Sequence, residues 1–365
     1  MKPERPAVLV VSKPLGPPWN DGSKNLAGEL ARALVSLPTP REVHAFGPSP
    51  LEGILTHRVP SARLGRRTTL SMIATLATEH RAALWHFVFA PNARTSRAAR
   101  SLSALRRRPT IQTLASMPAS DVRLGDVVFG DRVVALSRAA LARARAEGVA
   151  EERLALVPIA ITPPPTPSPA EVARVIEAHD LASRFVVTFP GDLEHGRGAD
   201  VIVEACGAMA HRADAILVLA CRDKTPRARA RREELEARAR RASISLRVVG
   251  ETPSIHALLA ASDLVALPTD TLYAKVDHPL VLLEAMHLGR AVLVSEGTSA
   301  HELAEDGAAI GCPLDPGAIA AALDRLVTDR ALSTSWGARA RACVQGRRVE
   351  VMAQRYDSIY DELLR

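Results

Sequence analysis

Aromatic residues make up only 3% of this 365-residue chain, and lysine is almost missing, with 5 against 42 arginines. So few aromatics, and no recognised binding motif, argue against nucleic acid as a partner, because single strands are held by stacking on such rings. Long apolar runs are lacking too. None reaches the roughly 18 residues of a membrane span, and residues 1–6 hold no signal-peptide core. Cys206, Cys221, Cys312 and Cys343 are scattered over the second half without Cys-x-x-Cys spacing, and read as small buried hydrophobes in a reducing cytoplasm. Asp-x-Asp, His-x-x-x-His and Cys/His ligand clusters are missing, so neither a dedicated metal site nor a cofactor is expected. Gly-x-Ser-x-Gly, a Walker loop and a complete Gly-x-Gly-x-x-Gly are also missing, which disfavours hydrolase, NTPase and dinucleotide oxidoreductase chemistry.

What is present describes a globular protein, 47% hydrophobic and 24% charged, and too long for one ordinary core. The charge is uneven. Residues 1–170 hold 23 Lys+Arg against 12 Asp+Glu, or +11, and the remainder holds 24 against 28, or −4. A basic first half predicts an anionic partner, such as a membrane surface or a phosphorylated acceptor, unless it only reflects the arginine bias. A cytoplasmic chain is therefore expected, with peripheral association at the inner membrane face as its membrane role.

Short apolar runs at 7–12, 43–46, 84–88, 110–114 and 133–136 alternate with helical stretches, the first of them at 23–37. Five prolines within 163–169 preclude helix or central strand and mark a linker. The alternation then restarts: helix 170–179, strand 185–189, loop 190–198, helix 199–210, and strands at 216–219, 245–249, 264–267 and 291–294. Such alternation predicts parallel sheets covered on both faces. The fold class expected is α/β, with two doubly wound Rossmann-like domains facing a cleft. Their bounds are 1–165 and 166–344, with a C-terminal helix in 345–365 (amphipathic over 352–364) packing back on the first.

Residues 276–295 carry the strongest chemical signal. Pro279 opens an apolar helix that holds one acid, Glu284, and Gly289 ends it before a buried strand. The helix amides suit an anion, and Glu284, one turn on, suits a hydroxyl pair. Diphosphate and ribose together make a nucleotide sugar. The loop 190–198 offers Gly191, Gly196 and Gly198 for close backbone approach, with Arg197 to neutralise phosphate; an ordinary strand-to-helix turn would read the same way.

These segments resemble the donor site of family 4 glycosyltransferases, whose pattern runs Glu-Gly-Phe-Gly-Leu-Pro-Leu-Leu-Glu-Ala-Met. Glu284, Ala285 and Met286 match in register, while the pattern's first Glu falls on Val276. Gly191, Leu193 and Gly198 match the family's Gly-Arg-Leu…Lys-Gly, Arg197 stands for its Lys, and Asp192 replaces its Arg. The resemblance implies a two-domain GT-B fold and a metal-independent, retaining transfer from a nucleotide sugar to an acceptor of unknown kind: a glycan, a lipid-linked molecule or a small molecule. It places Glu284, Leu280 and His278 at the donor, with Arg222 or Lys224 supplying the missing phosphate charge. Glu251 falls beside the base and Thr298 in a small-residue loop. Asp277 is either an N-cap for the helix or the substitute for the absent Glu, as a catalytic contact to the sugar. Gly22 and Lys24 occupy the place of the family's Gly-Gly loop, Gly22 approaching donor phosphate or acceptor and Lys24 binding an anion. His86, read as ending a strand that faces the cleft, is the second catalytic expectation, with a structural role as the alternative. A nucleotide-sugar epimerase and a non-catalytic partner subunit remain open beside the transferase.

Overall fold

The computed structural model describes residues 5–118, 121–223, 225–273 and 275–365. The chain divides into two compact units. The first comprises Met1–Thr162, Tyr273–His278 and Arg347–Arg365, and the second Pro163–Leu272 and Pro279–Gly346. Among the described residues no helix is long and apolar enough to cross a membrane.

The first unit holds a seven-stranded sheet: β1 (Val8–Val11), β2 (Val43–Gly47), β3 (Leu55–Arg58), β4 (Leu84–Phe89), β5 (Thr110–Leu114), β6 (Arg132–Ala135) and β7 (Leu154–Leu156), in the order β3-β2-β1-β4-β5-β6-β7. Its pairings are all parallel. Runs such as Val-Leu-Val-Val in β1 are buried throughout, as a sheet covered on both faces requires. Helices α1 (Gly22–Val35), α2 (Arg66–Thr78), α3 (Ala93–Arg106), α4 (Leu124–Val127) and α5 (Arg138–Ala146) connect the strands. Asp21 caps α1 by accepting from the Lys24 N–H at 3.1 Å, and Ser137 caps α5 by accepting from Ala140 N–H at 3.0 Å. The C-terminal helix, Val349–Leu363, packs against α1. Its Asp357 and Asp361 meet Arg41, which is fully buried, and Arg5.

The second unit repeats the wiring with six strands: β8 (Phe185–Phe189), β9 (Ala215–Ala220), β10 (Leu246–Val249), β11 (Leu264–Leu267), β12 (Ala291–Ser295) and β13 (Ile310–Cys312), ordered β10-β9-β8-β11-β12-β13. Its helices are α6 (Pro169–Ala178), α7 (Gly198–Ala208), α8 (Pro226–Arg241), α9 (Ile255–Ala261), α10 (Leu280–His287), α11 (Glu302–Glu305), α12 (Pro316–Thr328) and α13 (Arg330–Gly346). In both sheets the strand order reverses between the first strand and the fourth, β1/β4 and β8/β11. Doubly wound sheets bind ligands beyond the carboxyl ends of their strands at such a point. The sequence patterns did not announce β3, β7 or β13. Their three or four residues are mostly half-exposed, and a paired neighbour rather than an apolar run makes them strands.

Candidate functional site

In the second unit, β8 delivers the chain into the loop 190–197 and then into α7. The glycines there are fixed by packing. A side chain on Gly191 would fall inside the Phe189 ring, and one on Gly198 would strike the Pro268 carbonyl. Gly196 has φ +76°, which favours glycine, and a Cβ on it would lie 2.5 Å from Asp270 Oδ1. That same oxygen accepts from the Arg197 N–H at 2.8 Å. The loop after β8 is thus tied to the loop after β11, across the switch point. Asp192, which stands where the family has Arg, turns inward and accepts from the N–H groups of Glu194 and His195 at 2.8 and 3.1 Å. It shapes the loop and supplies no positive charge.

Two cations remain for an anion at this edge. Arg197 is exposed, and Arg222 is half-buried just beyond β9; neither guanidinium has a hydrogen-bond partner among the described residues. Lys224 lies outside the described residues. Helix α10 starts at Leu280, which is buried, with Pro279 at its N-cap position. No side chain caps it, and its first turn holds no acid, so the positive end of its dipole is uncompensated from within the helix. One turn on, Glu284 is partly exposed and makes no hydrogen bond among the described residues. His256 Nε2 stands 3.7 Å from its Oε2. Thr298, in the loop after β12, holds a buried hydroxyl with no hydrogen-bond partner. Glu251 is exposed in the loop after β10.

The first unit treats its expected residues differently. His86 is a correction. It is the third residue of β4, not its end, and it is fully buried, with Nδ1 2.8 Å from the Tyr360 hydroxyl and Nε2 2.7 Å from Thr113 Oγ1. Burial pushes its pKa down to about 3. A neutral imidazole with both nitrogens engaged in the core does not face substrate. Lys24 is also corrected: its buried ammonium donates to the carbonyls of Gly16 and Pro18, at 2.8 and 2.5 Å, and so folds the preceding loop instead of awaiting an anion. Burial holds its pKa below the ordinary lysine value. Gly22 is small because Val276 packs there; a Cβ would lie 2.7 Å from Val276 Cγ2. The apolar residue at the place of the family's Glu is thereby explained as packing.

Asp277 is not the N-cap of α10, since Pro279 holds that position. Its buried carboxylate accepts from Ser137 Oγ, and its N–H donates to the Ala115 carbonyl at 3.2 Å. His278 is buried with Arg347 Nη1 3.4 Å from its Nδ1. Residues 273–278 are therefore held by the first unit. Sequence spacing carried no sign of Asp270, Ser137 or His256, because each meets its partner across long stretches of chain.

Residues 184–329 match the family Glycosyl transferases group 1. No curated protein matches the sequence. Among solved structures, HepE from Anabaena, in complex with UDP and glucose, superposes with a TM-score of 0.77 at 18% identity, over 98% of this chain and 100% of HepE. Sucrose-phosphate synthase from Thermosynechococcus elongatus gives 0.77 at 17%, over 98% and 99%. A glycosyltransferase from Rickettsia africae gives 0.77 at 16%, over 99% of each chain. Residues 184–329 are thus similar to the Glycosyl transferases group 1 domain, and the whole chain has the two-sheet GT-B fold of these structures.

Proposed function

We propose that this enzyme moves a sugar from a nucleoside-diphosphate sugar to an acceptor, with retention at the anomeric carbon and without a metal ion in the transfer step. The observation that carries the donor reading is the uncapped N-terminus of α10 followed by Glu284, whose carboxylate accepts no hydrogen bond. A diphosphate meets the helix amides, and Glu284 accepts from the ribose hydroxyls. Arg197 and Arg222 neutralise the departing diphosphate, and the Thr298 hydroxyl donates to it. The bond from the anomeric carbon to the phosphate oxygen breaks with its electron pair going to the diphosphate. The acceptor oxygen bonds to the same face of that carbon and passes its proton to the leaving phosphate. The structures of HepE with UDP and with UDP-glucose make UDP-sugars the first donors to test.

The acceptor reading rests on the first unit's surface. Leu64, Leu70 and Ile73 are exposed on and just before α2, beside exposed Arg63, Arg66 and Arg67. Apolar residues with a cationic border suit an anionic lipid surface, and hence a lipid-linked acceptor reached from that surface.

Purified enzyme incubated with labelled UDP-sugars and other nucleotide sugars tests the donor reading. Transfer, or slow hydrolysis to nucleoside diphosphate without added divalent ion, is expected; an epimerised donor, or no turnover on any donor, overturns it. Cosedimentation with acidic vesicles tests the surface reading. Binding should weaken as salt shortens the Debye length to about 10 Å at 0.1 M, and no binding at low salt returns the charge to arginine bias.

A further inference from the structure

The outer edge of the first sheet carries a cluster of side chains that sugar transfer does not use. His44 lies on β2, His57 on the outermost strand β3, and Glu79 at the C-terminal end of α2. Their three donor atoms all lie within 4.8 Å of one another. His57 Nε2 is 3.4 Å from His44 Nδ1, and Glu79 Oε1 is 3.9 Å from that same nitrogen. Nitrogen donors about 2.0–2.1 Å from a tetrahedral zinc ion are spaced about 3.3 Å apart. The two imidazole nitrogens already stand at about that spacing, and the carboxylate has to close in on them to complete a coordination shell.

His44 and Glu79 are prepared for that use. Glu42 Oε1 lies 2.8 Å from His44 Nε2. A carboxylate accepts only, so Nε2 carries the proton, and the Nδ1 lone pair faces the other two ligands, the arrangement that orients metal-bound imidazoles. Glu79 is buried and held in place by the N–H groups of Ala82 and Arg81, which donate to Oε1 at 2.9 and 2.7 Å. Its second oxygen, Oε2, is buried, with the Trp85 indole beside the carboxylate.

We propose that His44, His57 and Glu79 bind a divalent cation of the zinc class, with water as the fourth ligand, which clips β3 and the end of α2 to the sheet. Two imidazoles and one carboxylate suit zinc better than calcium or magnesium, which take oxygen ligands. The role is structural. It is independent of the donor chemistry assigned to the second unit.

The test uses full-length protein stripped with a chelator and titrated with Zn2+ alone, followed by calorimetry and thermal unfolding. One equivalent bound with a rise in Tm is expected. His57→Ala, at a half-exposed edge position that folding tolerates, and Glu79→Gln, which keeps an acceptor for the Arg81 and Ala82 N–H groups, should each lose at least tenfold in zinc affinity along with the rise in Tm. Glu42→Gln should weaken binding by roughly 10–100-fold, as loss of an orienting partner does. Zinc that fails to bind, that leaves Tm unchanged, or that binds wild type and His57→Ala equally overturns the proposal.

Discussion

The two units share one wiring plan, yet they treat the polar residues near their sheets in opposite ways. In the first, Lys24, His86 and Asp277 are buried and bonded to their own unit, through the carbonyls of Gly16 and Pro18, through Tyr360 and Thr113, and through Ser137. In the second, Arg197, Arg222 and Glu284 make no side-chain hydrogen bonds among the described residues, and the Thr298 hydroxyl is buried without a partner. A group already satisfied inside a fold has nothing left for a ligand. An uncapped helix end beside unbonded charge is stable only where water or a ligand completes it. The comparison therefore supports the proposed reading of the second unit as the nucleotide side, and makes the buried contacts of Lys24, His86 and Asp277 a matter of stability.

The largest expected effect breaks the first half of that comparison. Asp357→Ala leaves the fully buried Arg41 with half its carboxylate partners, and breaking a buried pair costs on the order of 3–5 kcal/mol. Urea unfolding should show that loss. A loss under about 1 kcal/mol, the level of an exposed pair, would mean the network is solvated in solution. The same core sets a pH dependence. His86 is held near pKa 3 in the fold against about 6.5 when unfolded, so between those values the unfolded state binds the extra proton. Stability is full above pH 6.5 and falls on acidification, by up to about 1.4 kcal/mol per pH unit from this group. His57 and His287, also lowered by burial, add to the slope. His86→Gln should flatten it between pH 6.5 and 5, where carboxylates hardly titrate; an unchanged slope would put His86 in contact with water.

Smaller effects sharpen the second half. Glu284→Gln removes a charge-assisted hydrogen bond to ribose, about 1.5–3 kcal/mol, and should weaken nucleotide binding by tenfold or more while leaving Tm nearly unchanged. Equal affinity by calorimetry would remove Glu284 from the donor site. Arg197→Ala should have the smallest effect, since an exposed cation is screened. It should weaken nucleoside diphosphate binding severalfold and nucleoside alone not at all, and equal losses for both would show that it does not meet phosphate.

Much of the second unit was legible because its signals are local. Gly191, Gly198, Pro279 and Glu284 lie in strand–loop–helix stretches where spacing alone fixes which groups gather at a strand's carboxyl end. The first unit was less legible. His86 read as a strand-end residue although it is the third residue of its strand, and Tyr360, the partner that marks it as buried, lies 274 positions away. Asp277 read as a cap for the helix that follows it, but Ser137, 140 positions back, holds its carboxylate instead. Helix and strand periodicity, the proline-rich stretch at 163–169 and the glycine loop are properties of neighbouring residues, and they were enough to fix two parallel α/β sheets and a glycine-bearing loop after the first strand of the second. Which polar side chains are left unbonded depends on contacts that spacing does not reveal, some between residues more than a hundred positions apart, as for Asp277 and Ser137. Only the tertiary structure decided that, because burial and hydrogen-bond partners exist only once the sheets are assembled.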